Sequence, residues 1–339
     1  MKKLTITFII LDILVAICFF VVYAPPFKTF QYTIISTAVN TKTHDYIAYT
    51  FYSEEHVNNV ISNNNYTPLS EKIDLNNVVI DTSPKDHYDN PYEEALLTRD
   101  EGNDDYKYLK IKVGKYDAHL VAIYDPSKVH LITCKKFNTS NSSGKESVLE
   151  MNKRLGSVVG INGGGFVDYG TGSDIPIGYV IKDGEIIWST SNDKADLIGF
   201  TNDNKLMLVN ATGEEAINMG IRDAIQFGPF LMINGEKMQF KDSAGGYSRA
   251  ARSAIAQTKD GIVLFLVTEG THTAGPNMKE VIDALSLYGA YNAANLDGGS
   301  STQMVINGKV VNTPKNIYGK VINGGKGRNI VTGWGLFLD

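Results

Sequence analysis

Four dipeptides, Asp183-Gly184, Asn234-Gly235, Asp260-Gly261 and Asn307-Gly308, each sit between two apolar runs. An Asn or Asp followed by Gly tolerates the positive φ that a tight hairpin turn demands, so each marks a place where one strand folds back on the next. On this reading Val180-Ile181 leads into Glu185–Trp188, and Met304–Ile306 leads into Lys309-Val310-Val311. A chain punctuated in this way folds largely as antiparallel sheet from Tyr106 onward. One segment breaks the pattern: over Pro276–Tyr288, Met278, Val281, Ile282 and Leu285 share a helical face, with Pro276 suited to the first turn and Gly289 beyond the end. The expected class is α+β, a largely antiparallel β domain with one clear inserted helix. The order strand 262–267, helix, then residues 295–301 also suggests that Glu269 and Asp297 stand at related strand ends.

The chain before Tyr106 reads differently. Lys2 and Lys3 precede an apolar run from Leu4 to Ala24, interrupted by Thr5, Thr7 and Asp12 and closed by Pro25-Pro26. That run matches the roughly 20 residues of helix that span a bilayer. A cleaved signal peptide is the competing reading, but Val22-Tyr23-Ala24 is a poor small-x-small cleavage site. The expectation is an uncleaved single-pass anchor over residues 1–27, with the lysines cytoplasmic and the rest outside the cytoplasm. Residues 28–62 read as helix, with Ser53 before Glu54 and Glu55 as a fresh start. Residues 81–105 read as a polar surface connection, so 28–105 together form a helical region and linker ahead of a domain at 106–339.

A net charge of −5, from 32 basic and 37 acidic residues, gives no reason to expect a nucleic-acid partner. The two cysteines, Cys18 and Cys134, leave no disulfide within the soluble part. His44, His56 and His87 lack ligand spacing.

Two stretches share an unusual composition: Asn162-Gly163-Gly164-Gly165-Phe166-Val167-Asp168, and Asn295-Leu296-Asp297-Gly298-Gly299-Ser300-Ser301. Glycine runs allow close backbone approach to a ligand and positive φ, with N–H groups that can converge on an anion. Two such stretches suggest one composite site.

These motifs, with Pro176-Ile177-Gly178, Ala251-Arg252-Ser253-Ala254-Ile255 and Glu269-Gly270 between them, occur in an order that resembles the phosphodiester glycosidase family, whose bacterial members include exopolysaccharide biosynthesis proteins. The resemblance runs from about Tyr106 to the C-terminus. It implies hydrolysis of a sugar-1-phosphodiester, here a phosphate-linked glycan at the cell surface. Two other uses remain open: non-catalytic glycan binding and P–O cleavage. One departure is local: where the family pattern has Gly-Arg after the strand at 262–268, this chain has Glu269-Gly270-Thr271-His272.

Breaking a C1–O bond passes through an oxocarbenium-like state that a carboxylate can stabilise or attack. Asp297, Glu269 and Asp168 are the candidate catalytic acids. Arg252, in a run of small apolar residues, is the candidate phosphate fork, Arg328 a second, and Arg249 is expected at the surface. Asn162, Gly163, Gly164, Asn295, Gly298, Gly299, Ser300 and Ser301 are candidate substrate contacts, and His272 a candidate proton-transfer or phosphate contact. No cofactor is required, and a hard cation such as Ca²⁺ on Asp168, Asp297 and backbone carbonyls is compatible with the residues.

Overall fold

The computed structural model describes residues 2–39, 45–64, 66–67, 72–137, 144–167, 175–240 and 248–338. His44 and Asp168 lie outside these described residues. The chain forms two compact units, one of Met1–Tyr66 with Phe240–Arg249, the other of Thr67–Gln239 with Ala250–Asp339.

The first unit is helical. α1 (Lys2–Tyr23) contains a stretch, Thr5–Tyr23, long and apolar enough to cross a membrane. The helical reading of residues 28–62 resolves into α2 (Lys28–Val39), α3 (Asp45–Phe51) and α4 (Glu54–Asn64). α4 starts as its sequence suggests: Ser53 Oγ accepts the His56 N–H at 3.2 Å, and two glutamates sit in the first turn. Ile35, Ala48, Val57 and Val60, all fully buried, form the unit's own core with Tyr32 and Ala38.

The second unit is built on three antiparallel sheets. The first has seven strands in the order β11 (Glu236–Lys237), β10 (Phe230–Ile233), β14 (Ala290–Leu296), β12 (Ser253–Thr258), β13 (Val263–Thr268), β2 (Tyr116–Ile123) and β1 (Tyr106–Val113). The second runs β16 (Lys309–Val310), β15 (Met304–Ile306), β4 (Val159–Asn162), β17 (Thr332–Leu336), β3 (Val129–Thr133). The third runs β6 (Glu185–Trp188), β5 (Val180–Lys182), β9 (Ile221–Gln226), β7 (Ala195–Thr201), β8 (Leu206–Ala211). All three sheets contribute to one core that includes Phe265, Trp334 and Phe200, the last two meeting edge to face at 5.4 Å between centroids. Burying one such aromatic stabilises the fold by about 1.5–3 kcal/mol, and its displacement would loosen all three sheets together.

The four hairpin turns fall where the dipeptides place them, between β5 and β6, β10 and β11, β12 and β13, and β15 and β16. Asp183, Asn234 and Asn307 take positive φ, as do the glycines after them. The inserted helix is α8 (Met278–Leu287), whose N-cap is Asn277 in a capping box with Glu280. Pro276 therefore precedes the cap and lies outside the first turn, because the Asn277 side chain takes up the orphan N–H of Glu280.

Among the described residues of this unit three further, shorter helices accompany it. α5 (Pro91–Leu97) interrupts the polar stretch 81–105, capped by Asn90 and burying Leu96 and Leu97. α6 (Val148–Leu155) and α7 (Gly213–Asn218) open with capping boxes, Ser147 with Glu150 and Thr212 with Glu215. Residues within 67–105 pair with the sheet domain: the Val79 N–H donates to the Lys259 carbonyl, and the Tyr124 hydroxyl to the Leu96 carbonyl. Cys18 is exposed and Cys134 buried, and neither is in a disulfide.

Candidate active site

β12 runs between β13 and β14 and antiparallel to both. Its two neighbours therefore point the same way, and α8 is the crossover that returns the chain from one to the other. Ser253, the first residue of β12, is in register with Val267 on one side and Leu296 on the other. One step further along this register brings Arg252, Thr268 and Asp297 to the same sheet edge, with Glu269 next in the chain. Arg252 and Thr268 lock that edge, since Thr268 N–H donates to the Arg252 carbonyl at 2.9 Å and Arg252 N–H donates to Thr268 Oγ1 at 2.9 Å.

The other glycine-rich stretch arrives from the second sheet. Asn162 ends β4 and is 1% exposed. Its Nδ2 donates to the Asp297 carbonyl at 2.6 Å, and its Oδ1 accepts from Ser253 Oγ at 2.8 Å and the Gln303 N–H at 3.0 Å. The Asp297 N–H in turn donates to the Gly163 carbonyl at 3.0 Å. The two stretches thus form one composite structure, and Asn162 is its clamp: its amide is engaged within the protein instead of facing a ligand.

Most of the glycines are needed for a different reason from close ligand approach. A Cβ on Gly163 would lie 2.7 Å from Thr332 Oγ1, and one on Gly298 2.7 Å from the Ala251 carbonyl. Gly298 has φ −111°, ordinary for any residue. Gly299, at φ +57°, does require the left-handed region, and a Cβ there would meet His272 Nδ1 at 2.5 Å. Gly299 is the seat on which His272 rests. Backbone donors of this loop are also engaged: Gly299 N–H to the Ala251 carbonyl at 2.7 Å, and Ser301 N–H to the Gly298 carbonyl at 3.0 Å. Asn295, Ser300 and Ser301 are buried, and Asn295 Nδ2 donates to the Gly228 carbonyl at 3.1 Å.

Glu269 has a support that its sequence context does not reveal. Its Oε1 accepts the Thr313 N–H at 2.9 Å and lies 3.4 Å from His119 Nε2, while Tyr108 Oη sits 2.7 Å from His119 Nδ1. With a neutral imidazole, both contacts are satisfied when Tyr108 donates to Nδ1 and Nε2–H donates to the carboxylate. His119 is in register with Lys110 of β1, so Tyr108 is its diagonal neighbour on the same face. Burial pushes the Glu269 carboxyl up, but His119, the Thr313 N–H and Lys315 outweigh it and hold it below its ordinary value. Burial and the charge of Glu269 push Tyr108 up. Glu269 is therefore an ionised, positioned carboxylate.

Arg252 is largely buried, and burial pushes its pKa down to about 10, which leaves the guanidinium charged at neutral pH. Arg328 lies over the Phe166 ring at 5.1 Å, and its carbonyl accepts from Gln303 Nε2 at 2.9 Å. That places it beside the first glycine stretch. Arg249, expected at the surface, is half-buried. Asp168 lies beyond the described leg that carries Phe166 and Val167, which is held by Val167 N–H to the Ile175 carbonyl and Ile177 N–H to the Gly165 carbonyl. A cleft of about 430 Å³ opens beside Gly165, lined among others by Lys194, Asp196, Asn210 and Phe227. Among the described residues no three His, Cys, Asp or Glu side chains gather as a metal cluster.

Known proteins resemble this chain in sequence and in fold. The phosphodiester glycosidase family profile matches residues 155–337. The SPbeta prophage-derived uncharacterized protein YomE of Bacillus subtilis (strain 168) is 30% identical over 199 residues, covering 56% of this chain and 30% of that protein. The N-acetylglucosamine-1-phosphodiester alpha-N-acetylglucosaminidase of Mus musculus is 25% identical over 168 residues, 44% of this chain and 32% of that protein. The chain thus spans about a third of the length of either curated relative. Among solved structures, the catalytic domain of the zebrafish N-acetylglucosamine-1-phosphodiester alpha-N-acetylglucosaminidase, auto-inhibited by its pro-peptide, shares the fold with a TM-score of 0.57 at 20% identity, over 69% of this chain and 83% of that one. With more than half of its length matched and its two glycine-rich motifs joined in one site, the chain belongs to the phosphodiester glycosidase family.

Proposed function

We propose that the chain is an extracytoplasmic hydrolase, held to the membrane by α1, that cleaves the C1–O bond of sugar-1-phosphodiesters in a cell-surface glycopolymer or its precursor. The observation that carries this reading is the register around β12, which brings Arg252, Thr268 and Asp297 level at one end of the sheet, with Glu269 next to Thr268 in the chain. Arg252 would grip the phosphate through its planar fork. Asp297 would act at the anomeric carbon, with the ionised Glu269 stabilising the positive charge that develops there. Water adds to C1, the bond from C1 to the bridging phosphate oxygen breaks, and the phosphate leaves with that oxygen as a monoester that can take up the proton the water releases, without needing a strong acid. The cleft beside Gly165 is large enough for a sugar, and its Lys194, Asp196 and Asn210 are suited to hydroxyls. A cation such as Ca²⁺ held by Asp297 and Asp168 is the alternative use of these acids, and exhaustive chelation separates the two.

Asp297→Asn keeps shape and removes charge. Loss of such stabilisation costs typically about 10²–10³ in rate, so the variant should fold and release almost no sugar from a sugar-1-phosphodiester. Near-wild-type turnover in the folded variant would sink the assignment. Wild-type protein that binds the diester without turning it over would make this a glycan-binding protein.

A further inference from the structure

The helical unit carries a feature the hydrolase reading does not use. Ile47 and Ala48 of α3 turn inward, Ala48 fully buried, whereas Tyr46 is 61% exposed, Tyr49 48% and Phe51 50%. Tyr46 and Tyr49 are three residues apart and share a helix face. Phe30 of α2 is also exposed. These rings are not spare core, because the unit already closes its own core around Ile35, Val57 and Val60. The exposed side of α4 differs, with Glu54, Glu55, Asn58 and Asn59.

The C-terminal end of α3 is tied to the end of α1. Tyr23, the last residue of the apolar span, donates its hydroxyl to the Phe51 carbonyl at 2.7 Å, and the Tyr52 hydroxyl donates to the Val22 carbonyl at 3.1 Å. The C-terminal end of α3 is therefore level with the end of the span. At a rise of about 1.5 Å per residue, Tyr46 lies roughly 7.5 Å along the helix from Phe51. The headgroup layer on each side of a bilayer is about 5–7 Å thick. Tyrosines with one apolar and one wet end are the residues that collect in that layer.

We propose that the aromatic face of α3, with Phe30, seats in the membrane–water interface at the outer end of α1, making the helical unit a second membrane contact. This rests on the anchored reading of α1. The contact would hold the helical unit against the bilayer surface, where a substrate attached to the membrane would be found.

The test is tryptophan placed in the full chain, reconstituted in lipid nanodiscs with acyl chains brominated either near the headgroups or near the tail ends. Difference spectra against the parent remove Trp188 and Trp334. Tyr49→Trp should be quenched by the shallow bromines, Val15→Trp by the deep ones, and Asn58→Trp by neither. A quenched Val15→Trp with an unquenched Tyr49→Trp overturns the interfacial seat and leaves the anchor standing. An unquenched Val15→Trp removes the anchor and this inference with it. Tyr49→Trp shielded from both brominated lipid and aqueous iodide would mean that protein covers the face, which also overturns the proposal.

Discussion

Asn162 Nδ2 donates to the Asp297 carbonyl oxygen at 2.6 Å, across 135 residues of chain. Through that bond the end of a strand in one sheet fixes the loop leaving a strand in another. Asn162→Ala would strand two buried partners, Ser253 Oγ and the Gln303 N–H, together with the half-buried Asp297 carbonyl. Each unsatisfied group costs about 1–3 kcal/mol, so the thermal unfolding of the sheet domain, followed by fluorescence of the buried Trp334, should fall by many degrees. A shift within error would mean that Asn162 is not the clamp.

Glu269 gives a prediction in pH. Because its folded pKa is depressed, it contributes stability that is fully present above its unfolded value, about pH 4.3, and is lost as pH falls through the folded value. His119→Phe keeps a ring of similar size and removes the hydrogen bond that helps to hold Glu269 ionised. The acidic limb of kcat/KM should move to higher pH in this variant, with the alkaline limb unchanged. A uniform drop in rate with an unmoved acidic limb would assign His119 a purely structural role.

Much of this was legible in the sequence, and the parts that were not have physical causes. The hairpin dipeptides succeed because positive φ at Asn or Asp before Gly is a local property of the chain. α5, α6 and α7 have 7, 8 and 6 residues, too short for apolar periodicity, although the Ser147…Glu150 and Thr212…Glu215 boxes mark two of their starts. The role of Gly163 and Gly298 could not be read, since a glycine demanded by a neighbouring carbonyl looks the same in sequence as one demanded by a ligand. The pairing of His119 with Glu269 depends on the β2–β13 register, which brings together residues 150 apart. Arg252 stood out because a charge in a run of small apolar residues needs a reason wherever it lies.

Arg252→Lys keeps the charge and loses the fork. A charge-assisted hydrogen bond contributes about 1.5–3 kcal/mol, so turnover of a sugar-1-phosphodiester should fall by roughly 10- to 100-fold. An uncharged aryl glycoside of the same sugar, if turned over, should be much less affected. Equal losses on both substrates would make Arg252 a structural residue.

Cleavage on the sugar side of the phosphodiester is read out by hydrolysis in oxygen-18 water. Mass spectrometry of the products should find the label in the anomeric hydroxyl of the released sugar and none in the phosphomonoester. Label in the phosphate, with unlabelled sugar, would show attack at phosphorus and exclude C1–O cleavage.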